Sequence, residues 1–271
     1  MSSTAQHNTF TFETVRVDRD GEIIERQAGA ASCLNVNLGE GIELELVAIP
    51  GGTFMMGDDR HHHDERPIHH VTISPFYLGK YPITQAQYRS VMGNESLSTH
   101  GDYPLENVNW DDARTFCDRL SYQTGDRYTL PSEAQWEYAC RAGTNTTFYF
   151  GETIAPDLVN YNGEYPYGGA PLGENRAQAT PVGSFPPNAF GLYDMHGNVW
   201  EWCLDEYQPS YQDAPTDGRS VDTGAPAIGS KRVMRGGAWD YVARGCRSAV
   251  RCSLDVGIRI AGCGLRVVLV R

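Results

Sequence analysis

The chain has 271 residues, 40% of them hydrophobic, and carries 34 acidic against 22 basic side chains for a net charge of −12. That size and apolar content suffice for one large domain, or a domain with a short extension, while the negative field excludes nucleic acid and anionic membrane surfaces as expected partners. No stretch approaches the ~20 apolar residues of a spanning helix and the first residues lack a charged start with an apolar run, so a cytoplasmic protein with mostly reduced thiols at its seven cysteines is expected.

Residues 1–43 differ in character from the rest and read as an N-terminal extension. Thr9 to Val17 alternates at period two, Asp20-Gly21 punctuates, and Glu22 to Arg26 resumes, which predicts a β-hairpin. Leu44 to Phe54 and Val71 to Gly79 read as further strands. Three helices follow. The first starts at Thr84, where Gln87 completes a capping box, and stops at Gly93; the second follows Asn109, turns Ala113, Phe116, Cys117 and Leu120 to one face, and stops at Gly125. The third starts at Ser132 with Gln135 as its box partner, presents Trp136, Ala139 and Cys140 inward, and stops before Gly143. From there to the end, glycine and proline clusters alternate with aromatic residues. That stretch is too long for a bare loop in a compact domain and too aromatic for disorder, so bound metal is the expected means of fixing it.

Four runs stand out in order: Ile49-Pro50-Gly51-Gly52-Thr53-Phe54-Met55-Met56-Gly57, then Tyr128 to Ala139, then Gly191-Leu192-Tyr193-Asp194-Met195-His196-Gly197-Asn198-Val199-Trp200-Glu201-Trp202, and last Arg235-Gly236-Gly237-Ala238-Trp239. Together they resemble the formylglycine-generating-enzyme (sulfatase-modifying-factor) family over residues 44–271. The resemblance implies an α+β, C-type-lectin-like fold with little regular secondary structure. It also implies calcium, a cation that takes six to eight oxygen ligands. Asp194 and Glu201, with carbonyls from Gly197 and Val199, match the family's ligands position by position. A second family site would use Asn160, the Tyr161 carbonyl, Asn175 and the Ala177 carbonyl.

The family's enzymes oxidise a substrate cysteine with two cysteines that follow the Arg-Gly-Gly-Ala-Trp motif. Here those positions hold Tyr241 and Cys246. A phenol lacks the softness and nucleophilicity of sulfur, so copper and catalysis are not expected. His61-His62-His63-Asp64-Glu65 with His69-His70 reads as a solvated polar loop, because adjacent side chains on an extended segment point to different sides. For His196 a structural role is expected over catalysis.

A second resemblance is closer. Variable proteins of diversity-generating retroelements share this fold and keep a C-terminal frame like the one formed here by Arg235 to Trp239, Cys246-Arg247-Ser248-Ala249-Val250-Arg251 and Gly264-Leu265-Arg266-Val267. Asp240 to Gly264 contains no Lys, Glu, Gln, Met or Trp, although these types number 38 in the chain and about three or four would fall there by proportion. Codons of the form NNC encode none of them. The variable region is therefore placed at about 240–263. Its ligand-binding positions are read as Asp240, Tyr241, Val242, Gly245, Val250, Cys252, Leu254, Val256, Ile258, Ile260, Ala261 and Gly262. If they share one exposed face, their mixed apolar, small and acidic chemistry suits a protein ligand. Alternative readings are a cysteine oxidase with an altered site and an accessory or regulatory domain. A short strand over 256–260 is the competing local reading.

Overall fold

The computed structural model describes residues 6–93, 101–223 and 230–270. The alternating segment forms β1 (Gln6–Val17). The turn that follows is closed by the Asp18 carboxylate, which accepts the N–H groups of Asp20 and Glu22 at 2.9 and 3.0 Å, while Gly21 takes a φ of 86° that other residues resist. β2 (Ile23–Gly39) returns antiparallel to β1, and its second half pairs with β3 (Ile42–Ile49). This inner half buries Leu34, Val36 and Leu38. Residues 6–43 are thus no appendage: the boundary placed at 43 falls inside β3, and the hairpin supplies part of the core.

The chain continues through β4 (Gly52–Met56), β5 (His69–Ile73) and β6 (Phe76–Gly79) to helices α1 (Gln85–Met92) and α2 (Trp110–Thr124). Then come β7 (Arg127–Thr129) and α3 (Glu133–Arg141). All three helices open with a capping box, from Thr84 to Gln87, Asn109 to Asp112 and Ser132 to Gln135. Each cap satisfies backbone donors that the first turn leaves orphaned, a contribution of about 1 kcal/mol. Gly93 and Gly125 end the first two helices in the left-handed region, whereas α3 ends at Ala142 with φ 46°, one residue ahead of Gly143.

No helix or strand forms between α3 and β8 (Trp200–Glu206) among the described residues. After β8 come β9 (Lys231–Arg235), β10 (Cys252–Asp255), β11 (Cys263–Gly264) and β12 (Val268–Val270). The strands make a six-stranded sheet in the order β1-β2-β3-β6-β12-β7, a four-stranded sheet β10-β9-β8-β11, and the pair β4-β5. β12 therefore lies inside the first sheet and β9 inside the second. Both ends of the C-terminal stretch are tied into sheets, and what lies between is constrained at both ends.

Two hydrophobic clusters fill the interior. One joins Trp136, Ala139 and Cys140 of α3 to Val47, Ile49 and Leu78; the other joins Phe116 and Leu120 of α2 to Leu34, Leu44, Trp200 and Trp202. No helix among the described residues is long and apolar enough to cross a membrane.

Candidate functional site

Four frame arginines build the floor under the C-terminal stretch. Each is buried, and each meets a buried carboxylate from the scaffold. Arg247 grips Glu65 with two bonds of 2.9 and 2.6 Å. Arg251 grips Glu133, the first residue of α3, at 2.6 and 2.8 Å, gives its remaining bonds to the Asp64 and Gln208 carbonyls, and lies over the Tyr211 ring at 4.2 Å. Arg235 bonds Glu137 of the same helix and the Val250 carbonyl. Arg266 takes both oxygens of Glu201 at 2.7 to 3.0 Å and also reaches the Gly79 and Tyr193 carbonyls. Burial alone would raise the pKa of Glu133, but Arg251 and Arg235 beside it hold its carboxyl below the usual range.

These pairs correct two expectations. The His61 to His70 segment is no freely solvated loop, because Glu65 within it is fully buried on Arg247, and His61 sits 2.9 Å from the Tyr167 hydroxyl. Ligand atoms of Asp58, His61 and Glu65 do lie within 4.8 Å of one another, yet both carboxylates are already held by guanidinium groups, Asp58 by Arg60 and Glu65 by Arg247. Nor does the calcium set of Asp194, Gly197, Val199 and Glu201 fit. Glu201 spends both oxygens on Arg266 and accepts the Trp136 Nε1–H at 2.7 Å, so a cation there would face a guanidinium across a saturated carboxylate. Asp194 accepts the Gly183 N–H at 2.7 Å, and burial pushes its carboxyl up to about 6.

The second calcium set fits better. Asn160 is buried and its Oδ1 has no hydrogen-bond partner among the described residues, an orphaned acceptor of the kind a cation satisfies. Asn175 and Ala177 are exposed, and the Asn175 Oδ1 accepts the Ala177 N–H at 3.1 Å. With no carboxylate among Asn160, Tyr161, Asn175 and Ala177, the oxygen set is neutral. Calcium affinity rises with the negative charge of its ligands, so this neutral set suits weak binding.

Between the frame residues the predicted ligand positions divide. Asp240, Tyr241, Ile258 and Ala261 are exposed, and Val242, Gly245, Cys252, Leu254 and Ile260 are partly so. Val250 and Val256 are buried at 7% and 8% exposure, and Gly262 is buried as well. A Cβ at Gly262 would meet the Ala238 Cβ at 3.0 Å with φ at 70°, which ties this position to glycine. These three belong to the framework. The short strand weighed over 256–260 does not form; the nearest strand, β10, ends at Asp255.

Main-chain bonds hold the backbone along the stretch. Trp239 N–H reaches the Asn198 carbonyl, Asn162 N–H the Tyr241 carbonyl, and Trp110 N–H the Val256 carbonyl, all within 3.1 Å. Glu106, which no sequence signal singled out, accepts both the Trp239 Nε1–H and the Gly262 N–H at 2.8 Å, pinning the two ends of the stretch to one carboxylate. Sequence reading also passed over Trp200 as a site residue. It stands edge-on to Tyr241, with ring centroids 5.0 Å apart. Tyr241, Val242, Gly245, Val250 and Cys252 line one pocket of about 270 Å³ with Trp200, Arg244, His62, Asp64 and Arg251.

Cys246 is fully buried, its Sγ 4.0 Å from the Val242 carbonyl, and burial pushes the thiol up to about 12. Among the described residues, no group of three or more His, Cys, Asp or Glu ligands includes Cys246.

The sulfatase-modifying factor enzyme 1-like domain model matches residues 40–270. The chain belongs to this family. The family includes the formylglycine-generating enzyme of Mycobacterium tuberculosis, 31% identical over 232 residues that cover 63% of this chain and 77% of that protein. It also includes the inactive C-alpha-formylglycine-generating enzyme 2 of Bos taurus, 27% identical over 268 residues, 78% of this chain and 81% of that one. Among solved structures, Treponema denticola variable protein 1 superposes with a TM-score of 0.71 at 24% identity, covering 87% of this chain and 98% of that chain. At that identity the likeness shows the fold alone, and the fold is the α+β, lectin-like one that the motifs imply. The family therefore holds active and inactive members on one architecture.

Proposed function

We propose that this family member is a non-catalytic, ligand-binding variable protein whose C-terminal residues are exchanged by a retroelement and read a protein ligand. The observation that carries this reading is the interleaving of the stretch: frame side chains are buried on scaffold carboxylates, while nine of the positions between them reach solvent on a backbone held by hydrogen bonds. A loop so divided can change its display without changing its fold. The Tyr241 phenol and the buried Cys246 thiol stand where a reactive dithiol would be needed, which supports the non-catalytic side of the reading. A cysteine oxidase with an altered site is tested by copper(I) titration, where stoichiometric thiolate binding at Cys246 would favour it.

Calcium belongs in this proposal at the second site only, on Asn160, Tyr161, Asn175 and Ala177, where it would brace the loop before β8. Chelation is expected to lower Tm slightly, and Asn160→Ala to abolish that response. No calcium effect in either protein removes the ion from the reading.

The direct test replaces Tyr241, Val242, Leu254 and Ile258 together by alanine. Exposed or half-exposed changes of this kind cost roughly 0.5 kcal/mol each, a few degrees in Tm for a domain of this size. Cooperative unfolding with Tm within about five degrees of the parent is expected; a collapse of the folded state would show that these side chains are structural. The retroelement itself is tested in the genome, where a near-identical repeat of the coding stretch that differs only at adenines is expected.

A further inference from the structure

We propose that Cys252, Met234 and Cys263 form a soft-metal site that takes one copper(I) ion beneath the C-terminal stretch. The strand register brings the three side chains to one face of the four-stranded sheet. Cys252 of β10 stands opposite Met234 of β9, and Met234 stands opposite Trp202 of β8. Trp200, two residues before Trp202 and so on the same face, stands opposite Cys263 of β11. Across β8 the Cys263 Sγ reaches the Met234 Sδ at 3.2 Å. Directly opposed residues of an antiparallel pair have Cβ atoms about 5 Å apart, so the Cys252 sulfur is within reach of the same thioether. Burial pushes both thiols up, and Cys252 raises Cys263 further, which marks the two as electrostatic neighbours.

Both cysteines are free of disulfides, and with the methionine they make a donor set of sulfur alone. Soft thiolate and thioether ligands select copper(I), whereas zinc would lack the fourth ligand of its tetrahedron. Metal–sulfur bonds of ~2.3 Å in a trigonal arrangement set the sulfurs roughly 4 Å apart, so the Cys263–Met234 pair has to open by less than about 1 Å. The unbranched methionine side chain can supply that movement. On binding, each S–H bond gives way to a bond from sulfur to copper, two protons pass to solvent, and the thioether donates a lone pair. Copper keeps its +1 state, so no oxidant or reductant takes part.

Trp200, Trp202, Ala238 and Val250 belong to the same hydrophobic cluster as the three sulfurs, an apolar shell that keeps water from the ion. Cys252 is the partly exposed member and lines the pocket beside Tyr241, which gives the ion a way in. Cys246 packs in the other hydrophobic cluster and is no part of the set. The site does not depend on the proposed ligand-binding role; on that reading Cys252 is an exchangeable position, and the metal is a property of this version of the chain.

The test titrates the reduced full chain with copper(I) under argon, in competition with bicinchoninate, with and without zinc. One equivalent of copper(I) is expected to bind, and zinc is expected not to displace it. Cys252→Ser, a change at a partly exposed position, is expected to weaken binding at least as much as loss of an outer-shell partner does, about 10- to 100-fold. Met234→Leu keeps the volume and removes only the thioether, so a weakening of about tenfold marks coordination by sulfur rather than packing. Cys246→Ala is expected to bind as the parent does. X-ray absorption at the copper edge is expected to show three sulfur neighbours at ~2.3 Å. The assignment is overturned by the absence of stoichiometric copper(I), by displacement with zinc, by undiminished affinity in Cys252→Ser or Met234→Leu, or by binding that Cys246→Ala abolishes. That last result would favour the cysteine-oxidase reading instead. None of these outcomes bears on the four-alanine test or on the genomic repeat, so the metal site and the variable-surface reading stand or fall separately.

Discussion

At the residue scale, the buried carboxylates decide how the C-terminal stretch is held. Removing one partner of a buried pair strands the other in a place water does not reach, at a cost of about 3–5 kcal/mol. Arg247→Ala would leave Glu65 stranded in this way, and a urea midpoint lowered by a corresponding amount is expected. Glu133 has a pH signature too. Its folded carboxyl is held below its ordinary value of 4.5, so its contribution is complete above that value and is lost as pH falls through the folded one. Glu133→Gln should therefore be clearly less stable than the parent at pH 7, with the gap closing below about pH 4. A gap that is constant across that range would show that the ion pairs contribute nothing. Asp205 works in the opposite sense: burial and the neighbouring Glu133 raise it to about 7, so its contribution is greatest below its ordinary 3.8 and declines as pH rises through 7. Because Glu133 is itself one of the groups that raise Asp205, the comparison of Glu133→Gln with Glu133 is repeated in an Asp205→Asn background, which isolates the Glu133 contribution.

At the element scale, two glycines of the C-terminal stretch differ in how closely the framework holds them. Gly262 has a positive φ and a crowded Cβ direction, whereas Gly257 has open space around its Cβ. Gly262→Ala is expected to cost roughly 1–2 kcal/mol from backbone strain alone, and Gly257→Ala close to nothing. Thermal melts of the two variants check the pair, and equal losses would contradict the division drawn here. The three helices were legible because capping residues and 3.6-residue periodicity are local signals. β8 was not. Six of its seven residues are buried, so it shows no alternation of faces, and its glycine-containing approach read as an irregular loop.

At the scale of the whole molecule, the N-terminal hairpin is part of the domain's core. A chain beginning at Leu44 would lose β1 and β2 and expose the faces that Leu34, Val36 and Leu38 cover. Such a truncation is expected to be poorly soluble or to lose its near-ultraviolet circular dichroism; a cooperative, native-like melt would show the hairpin to be dispensable. Metal was expected to fix the irregular half of the chain. Among the described residues the arginine pairs, the Glu106 clamp and the main-chain bonds tie this half of the chain down.

The amino-acid sequence by itself determined the family, the helices with their caps, the hairpin, the frame motifs and the compositional gap over residues 240–264. These are written in neighbouring residues or in fixed motif order. The tertiary structure alone decided which carboxylate each frame arginine meets, since Arg247 and Glu65 lie 182 positions apart, Arg251 and Glu133 118, and Arg266 and Glu201 65. It also decided that Val250, Val256 and Gly262 face inward while their neighbours face out. A loop without a regular period takes its orientation from distant contacts, and no local pattern encodes those.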